Sequence, residues 1–336
     1  MLKVCLIGCG RVAKSHAASA KEVPNDVKIV ALVDVKIKEA EAFKNEFGIP
    51  HAFADFEEAV AAVEFDAVDI CLPNHLHKEM AIKCARAGKH VLVEKPMANT
   101  VAECEEMIKA ADEAGVILMV GQSRRFYSAV LKSKEMVDKG EIGELVSISA
   151  NLYGYLEDAP TLWWKDMQKA GGLMIPIWGA HIIDYCLWMF DGLPERVYCE
   201  TASVNPNWQG EDEVTILLGF TKNRFATIRM SWNTKLNEKK WEGGGKMLSS
   251  SDILYERYIQ GTKHSLYLRD ETELKRNGTV LQQPDSVGNF AMQYQEFAAS
   301  VAEGRKPLTA GDKIINVIRV QEAALKSAAE HNVIKL

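Results

Sequence analysis

The chain has 336 residues, of which 47% are hydrophobic and 26% charged, and this composition excludes a mostly disordered protein. One hydrophobic core stops growing at roughly 250–300 residues, so two domains are expected. The net charge of -6, without a dense run of Lys and Arg, argues against a nucleic-acid partner.

The seven cysteines include no CxxC pair and form no cluster with histidine, so neither a disulfide framework nor a structural zinc site is expected. The N-terminus runs from Met1 directly into an apolar segment, without the features of a signal peptide. No apolar run reaches the roughly 20 residues that span a bilayer. We therefore expect a reduced, cytoplasmic protein with no membrane segment.

Short apolar runs alternate with helical patterns through the first third of the chain. They lie at Val4–Ile7, Ile29–Val33, Ala67–Leu72, Val91–Val93 and Val116–Val120. Each interval has room for one crossover helix, which is typical of a doubly wound parallel sheet. We predict an α/β domain of the Rossmann type over residues 1–122.

After Gly121 the pattern changes. A helix is predicted over 128–139, a long helix over 174–190, and closing helices over 291–303 and 314–329. Alternating or aromatic stretches predict an antiparallel sheet with strands at 146–155, 197–204, 214–220, 225–232 and 265–268. Residues 123–336 are thus expected to form an α+β domain, in which the polar segment 233–254 is a surface lid or a mobile loop.

A glycine motif, Gly8-Cys9-Gly10-Arg11-Val12-Ala13, follows the first strand and opens a helix. In that position Gly8 permits a tight turn, Gly10 lets a pyrophosphate approach the backbone, and the small Ala13 allows close packing. Asp34 ends the second strand, where a carboxylate accepts ribose hydroxyls and repels a 2'-phosphate. The pair favours NAD. NADP is the alternative cofactor, because two lysines follow Asp34 closely. Asp34 is otherwise only a solvated residue at the end of a strand.

Glu94-Lys95-Pro96 stands at the end of the strand Val91–Val93, where open α/β sheets place their ligands. An ammonium there stabilises the alkoxide that develops when an alcohol is oxidised, and Pro96 fixes the backbone that aims it. A lone lysine at a loop start would more often be a solvated charge.

Together with these motifs, Pro73-Asn74-His75-Leu76-His77, Gly121-Gln122 to Arg125-Phe126, and Gly179-Ala180-His181-Ile182-Ile183-Asp184 occur in the order of one known family. The chain resembles the glucose-fructose oxidoreductase / inositol dehydrogenase (Gfo/Idh/MocA) family over essentially its whole length. The resemblance implies a Rossmann domain, an open-faced and mainly antiparallel C-terminal sheet, NAD(P), and a homodimer or homotetramer built through that sheet.

Position by position, the resemblance makes Lys95 the substrate-hydroxyl lysine and His181 the acid/base. Asp184, one helical turn further, either orients substrate or supports His181, or is a structural carboxylate. The residues expected to contact the cofactor are Gly8, Gly10, Arg11, Val12, Asp34, Leu72, Pro73, Asn74, His77, Glu94, Lys95 and Gln122.

One position departs from the family pattern. Many catalytic members carry an acidic residue four before the histidine, and this chain has Ile177. Isoleucine can neither donate nor accept a proton. Either His181 works with Asp184 or with a carboxylate of the 157–166 loop, or the usual chemistry is altered or lost.

Further candidates are weaker. Tyr153 and Trp164 are expected to face the cleft, where aromatic planes suit a sugar ring, although most such residues are core. Arg125 is a candidate for a substrate hydroxyl or anion, with an ion pair as its alternative. The HxH pair His75 and His77 lacks a third ligand, so no metal is expected and a cofactor-edge or helix-capping role is favoured.

These features predict an NAD-dependent dehydrogenase that oxidises a secondary alcohol of a small carbohydrate-like substrate, a sugar, sugar derivative or cyclitol. Two alternatives stay open. One is an enzyme that uses transient oxidation for elimination, epimerisation or glycoside cleavage. The other is an NAD-responsive binding protein without catalysis.

Overall fold

A computed structural model describes residues 1–236, 253–282 and 288–336. The chain divides into two compact units, Met1–Phe126 with Ser286–Ile315, and Tyr127–Asp285 with Asn316–Leu336. The first unit thus includes Ser286–Ile315. The domain boundary expected at residue 122 assigns this stretch to the second domain.

The elements up to residue 126 are β1 (Leu2–Ile7), α1 (Arg11–Ala20), β2 (Val27–Val33), α2 (Ile37–Phe47), β3 (His51–Phe53), α3 (Phe56–Ala62), β4 (Ala67–Ile70), α4 (His77–Arg86), β5 (His90–Glu94), α5 (Val101–Ala114) and β6 (Leu118–Gly121). Short 3₁₀ turns lie at Asn74–Leu76 and Ser123–Phe126.

The elements that follow are α6 (Ser128–Asp138), β7 (Leu145–Gly154), α7 (Met167–Ala170), α8 (Met174–Ile177), α9 (Gly179–Phe190), β8 (Arg196–Ala202), β9 (Glu213–Gly219), β10 (Phe225–Ser231), β11 (Ile253–Gly261), β12 (Ser265–Arg269), β13 (Glu273–Arg276), β14 (Thr279–Gln282), α10 (Asn289–Glu303), α11 (Gly311–Glu330) and β15 (Ile334–Lys335).

The first unit contains a parallel sheet in the order β3-β2-β1-β4-β5-β6. Its strands are buried on both faces, which is why they appear in the sequence as continuous apolar runs. The strand order reverses between β1 and β4, and ligands of such sheets bind at the carboxyl ends of the strands beside that reversal. The predicted doubly wound fold is confirmed, with β3 as an edge strand that the sequence did not reveal.

The second unit contains a mixed sheet in the order β14-β13-β12-β11-β7-β10-β9-β8-β15. Its pairings are antiparallel except for the parallel pair β7 and β10. Side chains alternate along β7, so that Ile148, Ala150 and Leu152 are buried and the residues between them are not. The helix α9 packs against β7 and β10. The predicted α+β class is therefore confirmed.

One prediction for the second unit was wrong. The helix expected over 174–190 is broken at Trp178 into α8 and α9, and the segment Met167–Ile177 is bent by 49° relative to α9. Pro176 and Gly179 flank the break, and both disfavour a continuous helix interior. The strand β11 was not predicted; it begins at Ile253, and residues 237–252 of the loop expected over 233–254 lie outside the described residues.

Among the described residues, no single helix is long and apolar enough to cross a membrane; only the bent pair Met167–Ile177 and Gly179–Phe190 reaches that length and composition.

Candidate functional site

The glycine turn after β1 has the conformation that its sequence predicts. Gly8 has φ +94°, and its N–H donates to the Val33 carbonyl oxygen at 2.8 Å. A Cβ at Gly8 would stand 2.7 Å from the carbonyl oxygen of Cys71, a backbone atom that follows β4. Both the backbone angle and the lack of space therefore require glycine here.

The helix α1 begins directly after this turn, with Gly10 as its N-cap. No side chain caps it, and its first turn carries no acidic residue. A Cβ at Gly10 would meet no protein atom within 4 Å, so the space beside this N-cap residue is open. Arg11 and Val12 open the helix, and Ala13 is fully buried. Unpaired N–H groups at a helix N-terminus with open space beside its N-cap fit the pyrophosphate of a dinucleotide.

Asp34 lies against this turn. Its Oδ2 accepts the N–H of Cys9 at 2.9 Å, and its Oδ1 accepts the N–H of Lys36 at 2.9 Å. Each carboxylate oxygen has a second lone pair with which it can accept a ribose hydroxyl. The structure therefore brings Gly8, Gly10 and Asp34 together at the carboxyl ends of β1 and β2.

The loop after β4 lies at the same end of the sheet and is held by a buried histidine. Nδ1 of His77 is 2.9 Å from the Pro96 carbonyl oxygen, and Nε2 is 2.8 Å from the Leu72 carbonyl oxygen. Burial lowers the pKa of His77. The ring thus braces the Leu72-Pro73-Asn74 loop against the segment after β5, and Asn74 is itself buried in that loop.

Glu94 ends β5 in a tightly defined position. Its Oε2 accepts the backbone N–H of Lys95 at 3.2 Å. A Cβ on Gly121, where β6 ends, would stand 2.8 Å from Glu94 Oε1 and 3.3 Å from Glu94 Cα, so a larger residue there would displace the carboxylate. Gln122 follows and is almost fully buried. The Glu94 side chain therefore has little freedom to move.

Lys95 is half-buried at this strand end. Burial lowers the pKa of its ammonium to about 8, an effect that Glu94 opposes and that the positive charges of Arg124 and Arg11 increase. A lysine with a pKa near the working pH can lose or share a proton during a reaction. Such a perturbation is typical of a functional lysine and unusual for a solvated surface charge.

Arg125 lies in the 3₁₀ turn that follows β6. Its side chain is only 6% exposed, and Nη1 donates to the Leu308 carbonyl oxygen at 3.2 Å. Both residues belong to the first unit. This contact fastens the stretch from near the C-terminus to the 3₁₀ turn after β6.

In the second unit, His181 and Asp184 lie three residues apart on α9. His181 is half-buried and Asp184 is 2% exposed. Ile177 belongs to the separate helix α8, and its side chain is also buried. Because the helix breaks at Trp178, a residue four positions before His181 is not one regular helical turn below it.

The short helix α8 is held by a buried carboxylate. Oε1 of Glu211 accepts the N–H groups of Leu173 and Ile175, each at 3.0 Å. Burial raises the pKa of Glu211, while these backbone donors oppose the rise. Glu211 was not found from the sequence, since it follows no recognisable motif.

Two carboxylates of the 157–166 loop are engaged locally. Asp158 pairs with Lys165, which lowers the pKa of Asp158. Asp166 accepts the N–H groups of Gln168 and Lys169 at the start of α7, and its pKa is lowered by Lys169. Of the carboxylates considered as partners of His181, Asp184 is the one that shares its helix.

The two aromatic candidates lie in different places. Trp164 is 6% exposed and stacks on Trp232, with ring centroids 5.9 Å apart and planes within 9°. Trp178 and Trp208 complete this buried cluster around Trp232. Tyr153 alternates with the buried Leu152 on β7, so it belongs to the sheet face opposite the one that contains Leu152.

Sequence reasoning missed one cluster in the first unit. His16, Asp69 and Tyr294 are fully buried and hydrogen-bonded to each other or to Glu94. The only sequence signals were a histidine inside α1 and an aspartate inside an apolar strand. Neither indicated that three distant segments meet at Glu94.

Comparison with known proteins gives matches over both units. Residues 2–122 match a family model described as an oxidoreductase family with an NAD-binding Rossmann fold, and residues 130–256 match the GFO/IDH/MocA C-terminal domain. The chain is 35% identical to the myo-inositol 2-dehydrogenase of Thermotoga maritima, over 100% of this chain and 98% of that protein. It is 26% identical to the NADP-dependent scyllo-inositol 2-dehydrogenase of Bacillus subtilis, over 100% and 96%.

Among solved structures, a levoglucosan dehydrogenase in complex with NADH and levoglucosan superposes with a TM-score of 0.87. It covers 99% of both chains at 22% sequence identity, a level that supports the fold alone.

Proposed function

Because this chain belongs to the GFO/IDH/MocA family of NAD-binding oxidoreductases, we propose that it oxidises a secondary alcohol of a cyclitol or a related sugar, with NAD as hydride acceptor. The whole-length identity of 35% to a myo-inositol 2-dehydrogenase makes inositols the first substrates to test. The proposal is supported most by Lys95 at the end of β5, where burial lowers the pKa of its ammonium to about 8.

The first unit supplies the residues that would hold the dinucleotide. The open N-terminus of α1 suits the pyrophosphate, and Asp34 suits the ribose hydroxyls of NAD. Glu94, Asn74 and Gln122 are proposed contacts at the other end of the cofactor. When bound, the nicotinamide ring supplies the hydride-accepting carbon.

Lys95 is proposed to polarise the substrate hydroxyl. Its ammonium stabilises negative charge on the oxygen as the proton leaves, and its pKa of about 8 lets it release or recover a proton near neutral pH. His181 is proposed to take the hydroxyl proton on oxidation and to return it on reduction. Asp184, on the same helix, is proposed to orient substrate hydroxyls or to support His181.

A second reading is favoured by one observation, the buried Ile177 at the position where the sequence departs from the family pattern. A site rebuilt there suits transient oxidation followed by elimination, epimerisation or glycoside cleavage, in which NAD is regenerated. A binding protein without catalysis is the third reading.

One experiment separates these readings. The protein is incubated with NAD or NADP and a panel of inositols, aldoses, anhydrosugars, sugar acids, sugar nucleotides and glycosides, while reduced nicotinamide and product mass are followed together. Net reduction with a product two hydrogens lighter supports the dehydrogenase. A new product without net reduction supports the second reading, and cofactor binding with neither supports the third.

Two lesser proposals concern the state of the protein. We infer a homo-oligomer formed through the sheet of the second unit, because Leu217, Phe225 and Tyr258 are each between 42% and 50% exposed on its strands. We infer a cytoplasmic location because all seven cysteines are free thiols. Light scattering coupled to size exclusion tests the assembly, and Leu217→Lys with Phe225→Lys should convert an oligomer to monomer.

A further inference from the structure

Four polar side chains meet in the interior of the first unit. Nδ1 of His16 lies 2.7 Å from Asp69 Oδ2, and Nε2 of the same ring lies 3.1 Å from Glu94 Oε1. The hydroxyl of Tyr294 donates to the same Asp69 oxygen. His16, Asp69 and Tyr294 are each 0% exposed, and Glu94 is 6% exposed. Buried charges of this kind persist only when they are paired and hydrogen-bonded.

The donors and acceptors of this cluster can be assigned. Burial raises the pKa of Tyr294 well above 10, and Asp69 raises it further, so the phenol keeps its proton and donates. Burial raises the pKa of the Cys71 thiol to about 12, and that thiol lies 3.8 Å from Asp69 Oδ1. Asp69 therefore accepts from each of its neighbours.

His16 lies between two acceptors, and this determines its protonation. Burial alone would lower its pKa, but Asp69 and Cys71 together outweigh burial and hold the pKa well above 6.5. Both ring nitrogens then carry hydrogen, and the imidazolium donates to Asp69 on one side and to Glu94 on the other. The titratable groups that face the ring are Asp69 and Cys71 from β4 and its end, Glu94 from β5, and Tyr294 from α10.

The cluster joins the two halves of the proposed cofactor site. His16 belongs to α1, whose first turn follows Gly10, and Glu94 directly precedes Lys95. Glu94 is held by His16 through one carboxylate oxygen and by the N–H of Lys95 through the other. Any movement of the His16 ring must therefore disturb the carboxylate that lies beside Lys95.

The ligand atoms of His16, Asp69 and Cys71 also lie within 4.8 Å of one another, a spacing that a metal ion could bridge. The 2.7 Å separation of His16 and Asp69 is instead that of a charge-assisted hydrogen bond, and Tyr294 occupies the same Asp69 oxygen. We interpret the cluster as a hydrogen-bonded network.

We propose that His16 is a positioning residue, which donates from both ring nitrogens to tie the phosphate-binding helix to Glu94 and thereby fixes the strand end that carries Lys95. The activity part of this inference rests on the proposed dehydrogenase function. Its structural part, a doubly protonated His16 between two carboxylates, does not.

The structural part is tested on the unmodified protein. Labelled histidine should show, by NMR, one buried ring with protons on both nitrogens and no titration between about pH 6 and 8.5, and His16→Gln should remove that signal. A His16 ring that titrates near its ordinary value of 6.5, or that has a single ring proton, would overturn the proposal. Stoichiometric metal that is lost in His16→Gln would overturn it as well.

The functional part is tested by kinetics on His16→Gln and Tyr294→Phe, with His51→Gln as the control because His51 is an exposed histidine of the same unit. We expect kcat to fall at least about tenfold in His16→Gln, since misplacing a reacting group costs up to about 10²-fold. Tyr294→Phe should give a smaller loss in the same direction, and the control should match the unmodified protein.

The pH profile separates positioning from simple loss of stability. The charges of Glu94, Arg124 and Arg11 affect the pKa of Lys95. Removing the imidazolium beside Glu94 leaves more negative charge near Lys95, so the alkaline limb of the profile should move to higher pH in His16→Gln. An unchanged profile and unchanged kcat would contradict the positioning role. If the unmodified protein oxidises nothing, the proposed function fails while the NMR result still decides the structural part.

Discussion

Alanine at the two glycines of the phosphate turn should have opposite consequences. At Gly8 an alanine must adopt φ +94°, which costs a residue with a side chain about 1–2 kcal/mol, and its Cβ would stand 2.7 Å from the Cys71 carbonyl oxygen. That carbonyl cannot retreat easily, because the Cys71 N–H donates to the Ile7 carbonyl oxygen at 2.8 Å. Angle and clash together predict a loss of about 2–4 kcal/mol in the free energy of unfolding for Gly8→Ala.

Gly10 gives the matched contrast. Its φ of -75° suits any residue, and an added Cβ meets no protein atom within 4 Å. We expect Gly10→Ala to change the free energy of unfolding by no more than about 1 kcal/mol, mainly through the weaker N-cap. The same methyl would occupy the space proposed for the pyrophosphate, so NAD should bind at least about tenfold more weakly, a difference of about 1.4 kcal/mol.

Denaturant unfolding and calorimetric titration with NAD, run on both variants and the unmodified protein, measure these effects. A Gly8→Ala protein as stable as the original would refute the packing argument for the turn. A Gly10→Ala protein that binds NAD as tightly as the original would show that the pyrophosphate lies elsewhere.

Four further outcomes follow from the site. If Asp34 binds the ribose 2'-hydroxyl, NAD should bind more tightly than NADP, and Asp34→Ser should narrow or invert that preference in titrations; equal affinities in the unmodified protein would contradict it. Lys95→Ala and His181→Ala should each lower kcat at least about tenfold with NAD affinity nearly unchanged, and full activity in either variant would remove that residue from the mechanism. Because the ammonium of Lys95, with a pKa of about 8, loses its proton as pH rises, oxidation should decline above about pH 8, and Lys95→Arg should lack that decline. Ile177→Asp places a charge in a buried position, so it should destabilise the protein and raise alcohol oxidation only if the missing carboxylate is a true deficit.

Much of the fold can be predicted from the sequence because buried parallel strands are apolar throughout. The strand β11 was not predicted, since Arg257 at its centre is charged although it is only 1% exposed. Its guanidinium pairs with Glu271 at 2.9 Å and lies over the rings of Tyr185 and Tyr255. A hydropathy pattern treats such an arginine as solvent-exposed, because it does not show the carboxylate and the aromatic rings that surround the guanidinium in the folded chain.

The candidate site likewise contains residues that the sequence predicts and residues that it does not. Gly8, Gly10 and Asp34 could be placed from spacing alone, because a turn and the next strand end are local features joined by one crossover. The network around Glu94 depends on a residue from α10, more than two hundred positions away from Asp69 in the chain. Only the folded chain brings such residues together.

Transfer of deuterium from the substrate to the cofactor tests the proposed hydride transfer from a carbinol carbon to the nicotinamide. The panel member that is oxidised is prepared with deuterium on its carbinol carbons, and the cofactor is recovered for mass analysis. We expect reduced nicotinamide one mass unit heavier and a turnover slowed by the label. Unlabelled reduced cofactor, or a labelled product formed while the cofactor stays oxidised, would rule out this hydride transfer.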